Sequence, residues 1–287
     1  MTEPASWQVD PLDPRAPPQE IWDRLSPEQR AKVVASLPSE FELGPPEGDH
    51  HRLAIERAKD PLQGFFQRIG RKVYLSSNLA VYYPGERVFA PDLIAVLDVE
   101  PHPRDRWAVS VEGKGLDFAL EVNVGGDRDK DYERNVEWFA RLGIAEYVVF
   151  DPTRLLVRAW HLPEPAARSY RPLLGQAGRF ESAVLGLSFG IEEGQLRFYY
   201  GGAAVPETRE LLARVEHVLS DVMRKYDDAI RRAEEEARRA DGAERRLSEA
   251  LAESERLRRG GGPVQPPAKS SRRLRSRSGA TGGVASA

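Results

Sequence analysis

Ala90-Pro91-Asp92-Leu93-Ile94 opens one short apolar run of the chain, and Asp117-Phe118-Ala119-Leu120-Glu121-Val122-Asn123 forms the next. Both runs are rich in β-branched and aromatic residues, so each predicts a buried strand. Asp92 and Glu121 lie at the borders of these apolar runs. Burying a carboxylate there costs free energy unless its charge is compensated. Two such carboxylates on neighbouring strands can hold one divalent cation. A simpler interpretation also stays open for each acid. Asp92 could be a turn residue after Pro91, and Glu121 could lie at an exposed strand edge.

The segment before the two acids predicts a helix and a meander of strands. Apolar residues recur at helical spacing over 51–68, and Gly70 ends the pattern. Asp60-Pro61 interrupts it, so we expect one kinked helix or two abutting helices. Antiparallel strands are expected over the ranges 72–83, 89–97 and 116–124, with a long polar loop over 100–115.

The segment after the acids predicts a helix that carries the chain back to a further strand. The helix is expected from Asp127 to Leu142 with Gly143 as its stop, and its apolar face contains Tyr132, Val136, Phe139 and Ala140. A short buried strand should follow over 146–152, with a hairpin partner over 155–162. Because a helix joins the strands on either side of it, these two strands are expected to be parallel.

Composition changes near both ends divide the chain into four predicted parts. Residues 1–45 are a Pro-rich arm with one short helix, begun by a capping box at Ser26-Pro27-Glu28-Gln29. Residues 46–205 are the α/β core, and residues 206–259 are a long charged helix and a probable coiled coil. Residues 260–287 are a disordered basic tail.

The long helix has an apolar seam with a predicted slip. Spacings of three and four residues predict weak or partner-assisted pairing, because the Ala-rich seam buries little area and Gly242 interrupts it. We expect either a homo-oligomer or a partner helix. The seam residues are Leu212, Val215, Leu219, Val222, Tyr226, Ala229 and Ala233, and, after the slip, Ala237, Ala240, Leu247 and Leu251.

The overall composition excludes several classes of protein. In 287 residues, 42 Lys and Arg stand against 45 Asp and Glu, so whole-chain charge favours no particular partner. The absence of Cys excludes disulfide scaffolds, thiol nucleophiles and Cys-ligated metal sites. No segment has the length and apolarity of a membrane span or a secretory signal. A cytoplasmic protein that does not contact the membrane is therefore expected.

The ordered motifs resemble those of the Uma-two family of restriction-endonuclease-like proteins, which belongs to the PD-(D/E)XK nuclease superfamily. The resemblance covers roughly 51–170 and implies an α/β, restriction-endonuclease-like core of helix, three-strand meander, crossover helix and strand. It also implies hydrolysis of DNA phosphodiester bonds with Mg²⁺ or Mn²⁺. The motifs are Pro91-Asp92, Leu120-Glu121-Val122, Asp127 to Asp131, Trp138-Phe139-Ala140-Arg141-Leu142-Gly143-Ile144-Ala145-Glu146-Tyr147 and Phe150-Asp151-Pro152.

The resemblance also implies roles for particular residues. Asp92 would be the first metal ligand and Glu121 the second, with the main-chain carbonyl of Val122 as a possible third. The superfamily's lysine would fall at position 123, which is occupied by Asn123. Asn123 can orient a water but cannot supply positive charge.

The positive charge could instead come from the helix that follows. Relatives often borrow a lysine there, but Asn135 occupies the expected position. Lys130 on the first turn, and less well Arg134, are the remaining candidates, and a helix N-terminus favours a bound phosphate. The alternative for Lys130 is a solvated, charge-alternating first turn.

Residues of the first core helix could also contribute to a metal site. His50 and His51 stand near acids, but adjacent side chains on a helix diverge, so a role at the helix entry is favoured over metal binding. Glu56 could add a carboxylate to the site, although a solvated glutamate is favoured. As a whole, the sequence predicts a metal-dependent DNA endonuclease. The alternative is an inactive nuclease-like module that binds nucleic acid or a protein through the coiled helix and basic tail.

Overall fold

The structure is a computed structural model that describes residues 7–38, 48–125 and 129–260. The chain divides into two compact units, Met1–Glu216 and His217–Ala287. The predicted combination of a mixed α/β domain with a long C-terminal helix is confirmed. The predicted helix start at Asp127, the tail beyond Gly260 and parts of the N-terminal arm lie outside the described residues.

A six-stranded sheet forms the centre of the first unit. Its strand order is β1-β3-β5-β6-β7-β8, with antiparallel pairing of β3 to both β1 and β5. β5 and β6 are parallel, and β6 and β7 form an antiparallel hairpin. The strands are β1 (Val73–Ser76), β3 (Leu93–Leu97), β5 (Phe118–Val122), β6 (Glu146–Asp151), β7 (Leu156–His161) and β8 (Arg171–Pro172).

Five α-helices occur among the described residues before Thr208, where the long C-terminal helix begins. The predicted capping box of α2 is present: Gln29 N–H donates to the Ser26 hydroxyl, and the Gln29 side chain accepts from Ser26 N–H. Gly70 and Gly143 end α3 and α5 with φ of 68° and 79°, which glycine adopts without a Cβ clash. The helices are α1 (Gln19–Trp22), α2 (Pro27–Ser36), α3 (Asp49–Ile69), α4 (Val109–Glu112) and α5 (Asn135–Leu142).

Both faces of the central sheet are covered, which explains why its inner strands are buried along their whole length. On one face, Leu120 and Val122 of β5 pack with residues of α3 such as Ile55 and Leu62. On the other face, Ala119 of β5 packs with Phe139 of α5. Glu121 alternates with Leu120 and Val122, so its side chain belongs to the face that α5 covers.

Several predicted boundaries were wrong. The range 72–83 holds two strands, β1 and the short β2 (Val81–Tyr82), and β3 and β5 are shorter than predicted. The expected polar loop over 100–115 contains β4 (Trp107–Ala108), which pairs in parallel with β2, and α4. These short elements depend on tertiary pairing, and two residues carry too little periodicity to reveal a strand.

The first core helix was predicted as kinked or split, and it is continuous. Helix α3 runs from Asp49 to Ile69 with Pro61 inside it. The crossover helix has an unexpected first turn, because Lys130–Arg134 is a π-helical turn that leads directly into α5. Such turns widen the helix by one residue and change which side chains face the sheet.

A second, four-stranded antiparallel sheet was not predicted. It has the order β12-β11-β10-β9, and Phe189 and Phe198 of β10 and β11 belong to the same core as α3. Its strands are β9 (Arg179–Ser182), β10 (Leu187–Glu192), β11 (Gln195–Tyr200) and β12 (Ala203–Ala204).

The long C-terminal helix, α6, runs from Thr208 to Gly260 without a break, and none of its residues is buried. Its continuity through Gly242 differs from the interruption that the sequence predicted. Among the described residues, no helix is long and apolar enough to cross a membrane.

Candidate metal site

The two acids predicted to bind a metal meet at one edge of the central sheet. Leu93 of β3 pairs with Leu120 of β5 in an antiparallel register, so the next residues outward on the two strands are Asp92 and Glu121. Both side chains are buried, with 8% and 5% of their residues' surface exposed. The structure therefore brings together the two carboxylates as the sequence arrangement predicted.

The carboxylate of Asp92 is held by two neighbours. Its Oδ2 accepts a hydrogen bond of 2.6 Å from Val122 N–H and lies 3.0 Å from His51 Nε2. His51 is itself buried, on α3. Two contacts to one oxygen fix the rotamer of Asp92.

Glu121 is electrostatically strained by its surroundings. Burial raises its pKa well above the usual range, the neighbouring Asp92 carboxylate raises the pKa further, and Lys130 opposes the rise. Asp131 and a hydrogen bond to Asp92 also raise the pKa. In addition, Asn135 Nδ2 donates to Glu121 Oε1 over 3.3 Å. A cation between the acids would relieve the repulsion that now favours the protonated form.

The donor set fits a hard divalent cation that keeps much of its own hydration. Within residues 7–38, 48–125 and 129–260, no three His, Asp or Glu side chains form a ready-made metal cluster. Mg²⁺ needs only one or two carboxylates from the protein and takes its remaining ligands from water and substrate phosphate. Asp92 and Glu121 meet that requirement. The structure assigns the Val122 N–H to Asp92, whereas a metal bond to its carbonyl stays a prediction.

Asn123, at the position where the resemblance places the superfamily's lysine, forms hydrogen bonds through both its side chain and its main chain. Its Nδ2 donates to Asp131 Oδ2 over 2.7 Å, and its main-chain N–H donates to Phe150 of β6. Only 2% of Asn123 is exposed, and among the described residues its Oδ1 has no hydrogen-bond partner. Asn123 thus connects the end of β5 to the turn that begins the crossover helix.

The two candidate cations lie on that π-helical turn. Lys130 is exposed over 53% of its side chain, and its Nζ is 3.8 Å from Asp131 Oδ1. Lys130 and Arg134 both line the cavity that Glu121 enters. Lys130 is the better placed of the two, because its charge lowers the pKa of Glu121.

This cavity has a volume of about 710 Å³ and opens beside Glu121. Its wall combines the N-terminal segment at Leu12–Arg15, the β2–β3 loop and the crossover helix. Trp138 forms part of the wall; its ring lies under the Arg87 guanidinium at 5.1 Å, and its Nε1 donates to Glu86. The basic residues that line the cavity are Arg15, Arg87, Lys130, Arg134 and Arg141.

Sequence reasoning missed two residues of the site. His51 was interpreted as a residue of the helix entry, but it is spaced with the buried Ile55, Ala58 and Leu62 at intervals of four, three and four. Asp131 fell within the solvated first turn that was the alternative interpretation of Lys130, yet it is buried and Tyr147 donates to its main-chain carbonyl. In each case the spacing on the buried face was the available signal.

Glu56, the possible additional ligand, is exposed to solvent and is not buried with the two acids. Its carboxylate accepts from Arg52 on the same helix over 2.8 Å, and about half of its side chain is exposed. The favoured interpretation, a solvated glutamate, is confirmed.

One comparison with known proteins identifies the family of this chain. A family model described as "Uma2: Putative restriction endonuclease" matches residues 27–193. A crystal structure of "a putative nuclease belonging to DUF820" from Anabaena variabilis ATCC 29413 is 11% identical, with a TM-score of 0.41, and the alignment covers 54% of this chain and 89% of that one. That likeness is too distant to support an argument. No curated protein matches the chain.

Proposed function

Since the chain belongs to the Uma2 family, whose model spans residues 27–193, we propose that it is a metal-dependent endonuclease that hydrolyses DNA phosphodiester bonds. The activity is assigned to residues 46–205, as a nuclease core of the restriction-endonuclease type. Mg²⁺, or Mn²⁺ in its place, would be bound by Asp92 and Glu121, and the Val122 carbonyl is proposed as a further ligand.

One observation carries the proposal: two carboxylates are buried against each other at a sheet edge, beside a cavity lined with Arg and Lys. A protein gains no stability from such a pair, because each acid is desolvated and repels the other. A bound divalent cation removes that penalty. The arrangement is thus better explained by a ligand than by folding.

The chain's own residues would prepare the reaction in three ways. His51 and Val122 N–H hold the Asp92 carboxylate in a fixed orientation, and Asn135 does the same for Glu121. Lys130 adds positive charge beside Glu121. When bound, the metal would supply an acidified water and neutralise charge on the phosphodiester.

The cavity would receive the sugar-phosphate backbone of the substrate. Its basic side chains can contact phosphates, and the guanidinium group suits the paired oxygens of a phosphate better than an ammonium group does. Lys130 and Arg134 lie on the same wall as Glu121, so we assign the phosphate nearest the metal to them.

Cleavage of supercoiled plasmid tests the proposal. With Mg²⁺ or Mn²⁺, the wild type should convert plasmid to the nicked form, and Asp92→Asn should reduce the rate by at least about 100-fold because a metal ligand is lost. Asp105→Asn is the matched control, since Asp105 is exposed in the β3–β4 connection.

Mn²⁺ binding, followed by electron paramagnetic resonance of the free ion, separates ligand loss from unfolding. It should weaken in Asp92→Asn and stay unchanged in Asp105→Asn. Equal cleavage by all three proteins would exclude this site.

A second candidate function follows from Asn123. The superfamily's lysine is absent there, and the amide that replaces it is committed to Asp131. A nuclease-like module without cleavage activity would bind nucleic acid or a protein partner through α6 and the basic tail. Binding of DNA by the full chain without metal-dependent nicking, lost on removal of residues beyond Gly260 and steeply weakened by salt, would favour this function.

A further inference from the structure

Helix α6 exposes a row of large apolar side chains that nothing in the described chain covers. The helix is continuous over its 53 residues, and the exposed fraction is 56% for both Leu219 and Val222, 62% for Leu247 and 72% for Leu257. An apolar stripe on a charged helix normally packs against another helix. The question is which helix.

The apolar residues follow an unbroken heptad repeat. With Leu212 as the first a position, the a and d positions continue at alternating spacings of three and four to the last turn, and only Glu236 and Ser254 are polar. In this register the heptad pattern needs no slip after Ala233. The helix itself passes through Gly242 without interruption. The a and d residues are Leu212, Val215, Leu219, Val222, Tyr226, Ala229, Ala233, Glu236, Ala240, Ala243, Leu247, Ala250, Ser254 and Leu257.

The charges beside this seam favour a second copy of the same helix in parallel. In a parallel, in-register pair, each g position faces the e position of the next heptad on the other helix. Arg239 then faces Glu244, and Glu253 faces Arg258. Val218 faces Met223, so the apolar surface widens near the start of the helix. No g–e pair in this arrangement joins two like charges.

The antiparallel arrangement lacks this complementarity. There, g positions face g positions, and the central g residues are all basic: Lys225, Arg232, Arg239 and Arg246. Such a pair would place these cations against one another along one side of the seam. Like charges in close contact across a helix pair cost free energy, so the parallel arrangement is favoured.

We propose that α6 forms a parallel, in-register two-stranded coiled coil with α6 of a second copy of this chain, along 212–257. The pairing covers the exposed seam and joins opposite charges at two of its g–e positions, Arg239 with Glu244 and Glu253 with Arg258. It is independent of the proposed nuclease activity, so either can fail without the other.

Cysteine cross-linking tests the orientation, because the chain has no Cys of its own. Ser254→Cys places a thiol at an a position, where two copies meet only in a parallel, in-register pair. Ser248→Cys is the matched control at a b position, directed away from the seam. After mild oxidation of the full-length protein, Ser254→Cys should give almost complete disulfide-linked dimer on non-reducing gels, and Ser248→Cys almost none.

Three results would overturn the proposal. Failure of Ser254→Cys to cross-link while sedimentation shows a dimer would indicate an antiparallel pair. A wild type that sediments as a monomer at concentrations on the order of tens of micromolar would exclude the pairing. Equal cross-linking at both positions would also contradict it, since that reflects random collision.

A second pair of variants tests the seam without new thiols. Leu247→Glu, at an a position, should shift the sedimenting mass from dimer to monomer. Arg245→Glu, at an f position, changes the charge by more and should leave the dimer intact. Circular dichroism of the two variants checks that the fold of the core is retained, and a dimer that persists in Leu247→Glu would exclude this seam.

Discussion

At the scale of single residues, the raised pKa of Glu121 makes the stability of the fold depend on pH. The pKa of its carboxyl is raised in the folded protein, so between about the usual 4.5 and the raised value the native state holds a proton that the unfolded chain releases. Stability must therefore fall as the pH rises through that window. The penalty is greatest at neutral and alkaline pH when no metal is bound.

Glu121→Gln should consequently stabilise the metal-free protein. The amide keeps the acceptor for Asn135, can donate to Asp92 and carries no charge. In EDTA at pH 8, we expect a Tm several degrees above that of the wild type, since about 1 kcal/mol shifts the Tm of a domain this size by roughly 2–4 °C. The difference should shrink at pH 4. Thermal melting followed by circular dichroism measures both.

Addition of Mn²⁺ shows whether the higher Tm of Glu121→Gln comes from the metal site or from a general stabilisation of the fold. It should raise the Tm of the wild type by binding the native state and leave that of Glu121→Gln unchanged. Glu181→Gln, on an exposed position of β9, is the control and should behave as the wild type does in every condition. A lower Tm for Glu121→Gln than for the wild type at pH 8 would show that the ionised carboxylate stabilises the fold.

At the scale of secondary-structure elements, the connection from β5 to the crossover helix holds Lys130, the cation that the proposed reaction uses. Asn123 and Asp131 tie the end of β5 to the π-helical turn, and that turn presents Lys130 to the cavity. The widened turn is the structural means by which a cation can reach the acids without a lysine on the strand.

Lys130→Gln should therefore reduce the cleavage rate at saturating DNA by roughly 100-fold, as loss of one charge-stabilising group in an active site typically does. Lys130→Arg should recover part of the rate. Arg134→Gln, on the same turn, should mainly weaken DNA binding. Single-turnover cleavage and fluorescence anisotropy with a labelled duplex measure the two effects separately. Unchanged cleavage by Lys130→Gln would remove this residue from the reaction.

The elements that sequence predicted well are those whose boundaries depend on local chemistry. The capping box of α2, the glycine stops of α3 and α5, and the hairpin of β6 and β7 are examples. The second sheet was missed although its central hairpin has a two-residue turn. That turn uses Glu193 and Gly194, with φ of 51° and 77°, in place of the usual Asn-Gly.

The site was half predictable for a similar reason. Asp92 and Glu121 stand beside apolar runs, so their cost of burial is visible in the sequence itself. His51 lies 41 residues from Asp92, and their contact exists only because α3 packs across the sheet. Its place on the buried face of α3 indicated burial but not the partner, which is a property of the tertiary structure.

At the scale of the whole molecule, the core and the long helix raise separate questions. The core belongs to a nuclease-like family, and the proposed function assigns a cation to its buried acids. The long helix has an exposed seam and calls for a second helix. Pairing of two long helices depends on the protein concentration, whereas the proposed metal site lies within one chain. The oligomeric state can therefore be measured and altered without changing the nuclease site.

Glu236 gives the sharpest test of the seam at this scale. It occupies a d position, so a parallel, in-register pair places two Glu236 carboxylates close together at the seam. Glu236→Leu removes that repulsion and adds apolar surface, and burying a leucine is worth about 1.5–3 kcal/mol. The dissociation constant of the dimer should fall by at least roughly 10-fold, or about 1.4 kcal/mol.

Glu235→Leu is the control for added hydrophobicity, because position 235 is a c position outside the seam, where its carboxylate lies 3.9 Å from Arg239 of the same helix. Exposed pairs of this kind contribute little, so its effect on the dimer should be small. Sedimentation equilibrium over a range of concentrations measures the dissociation constants of both variants. An equal decrease of the dissociation constant in both variants would mean that nonspecific hydrophobic association forms the dimer. No tightening by Glu236→Leu would mean that position 236 lies outside the contact.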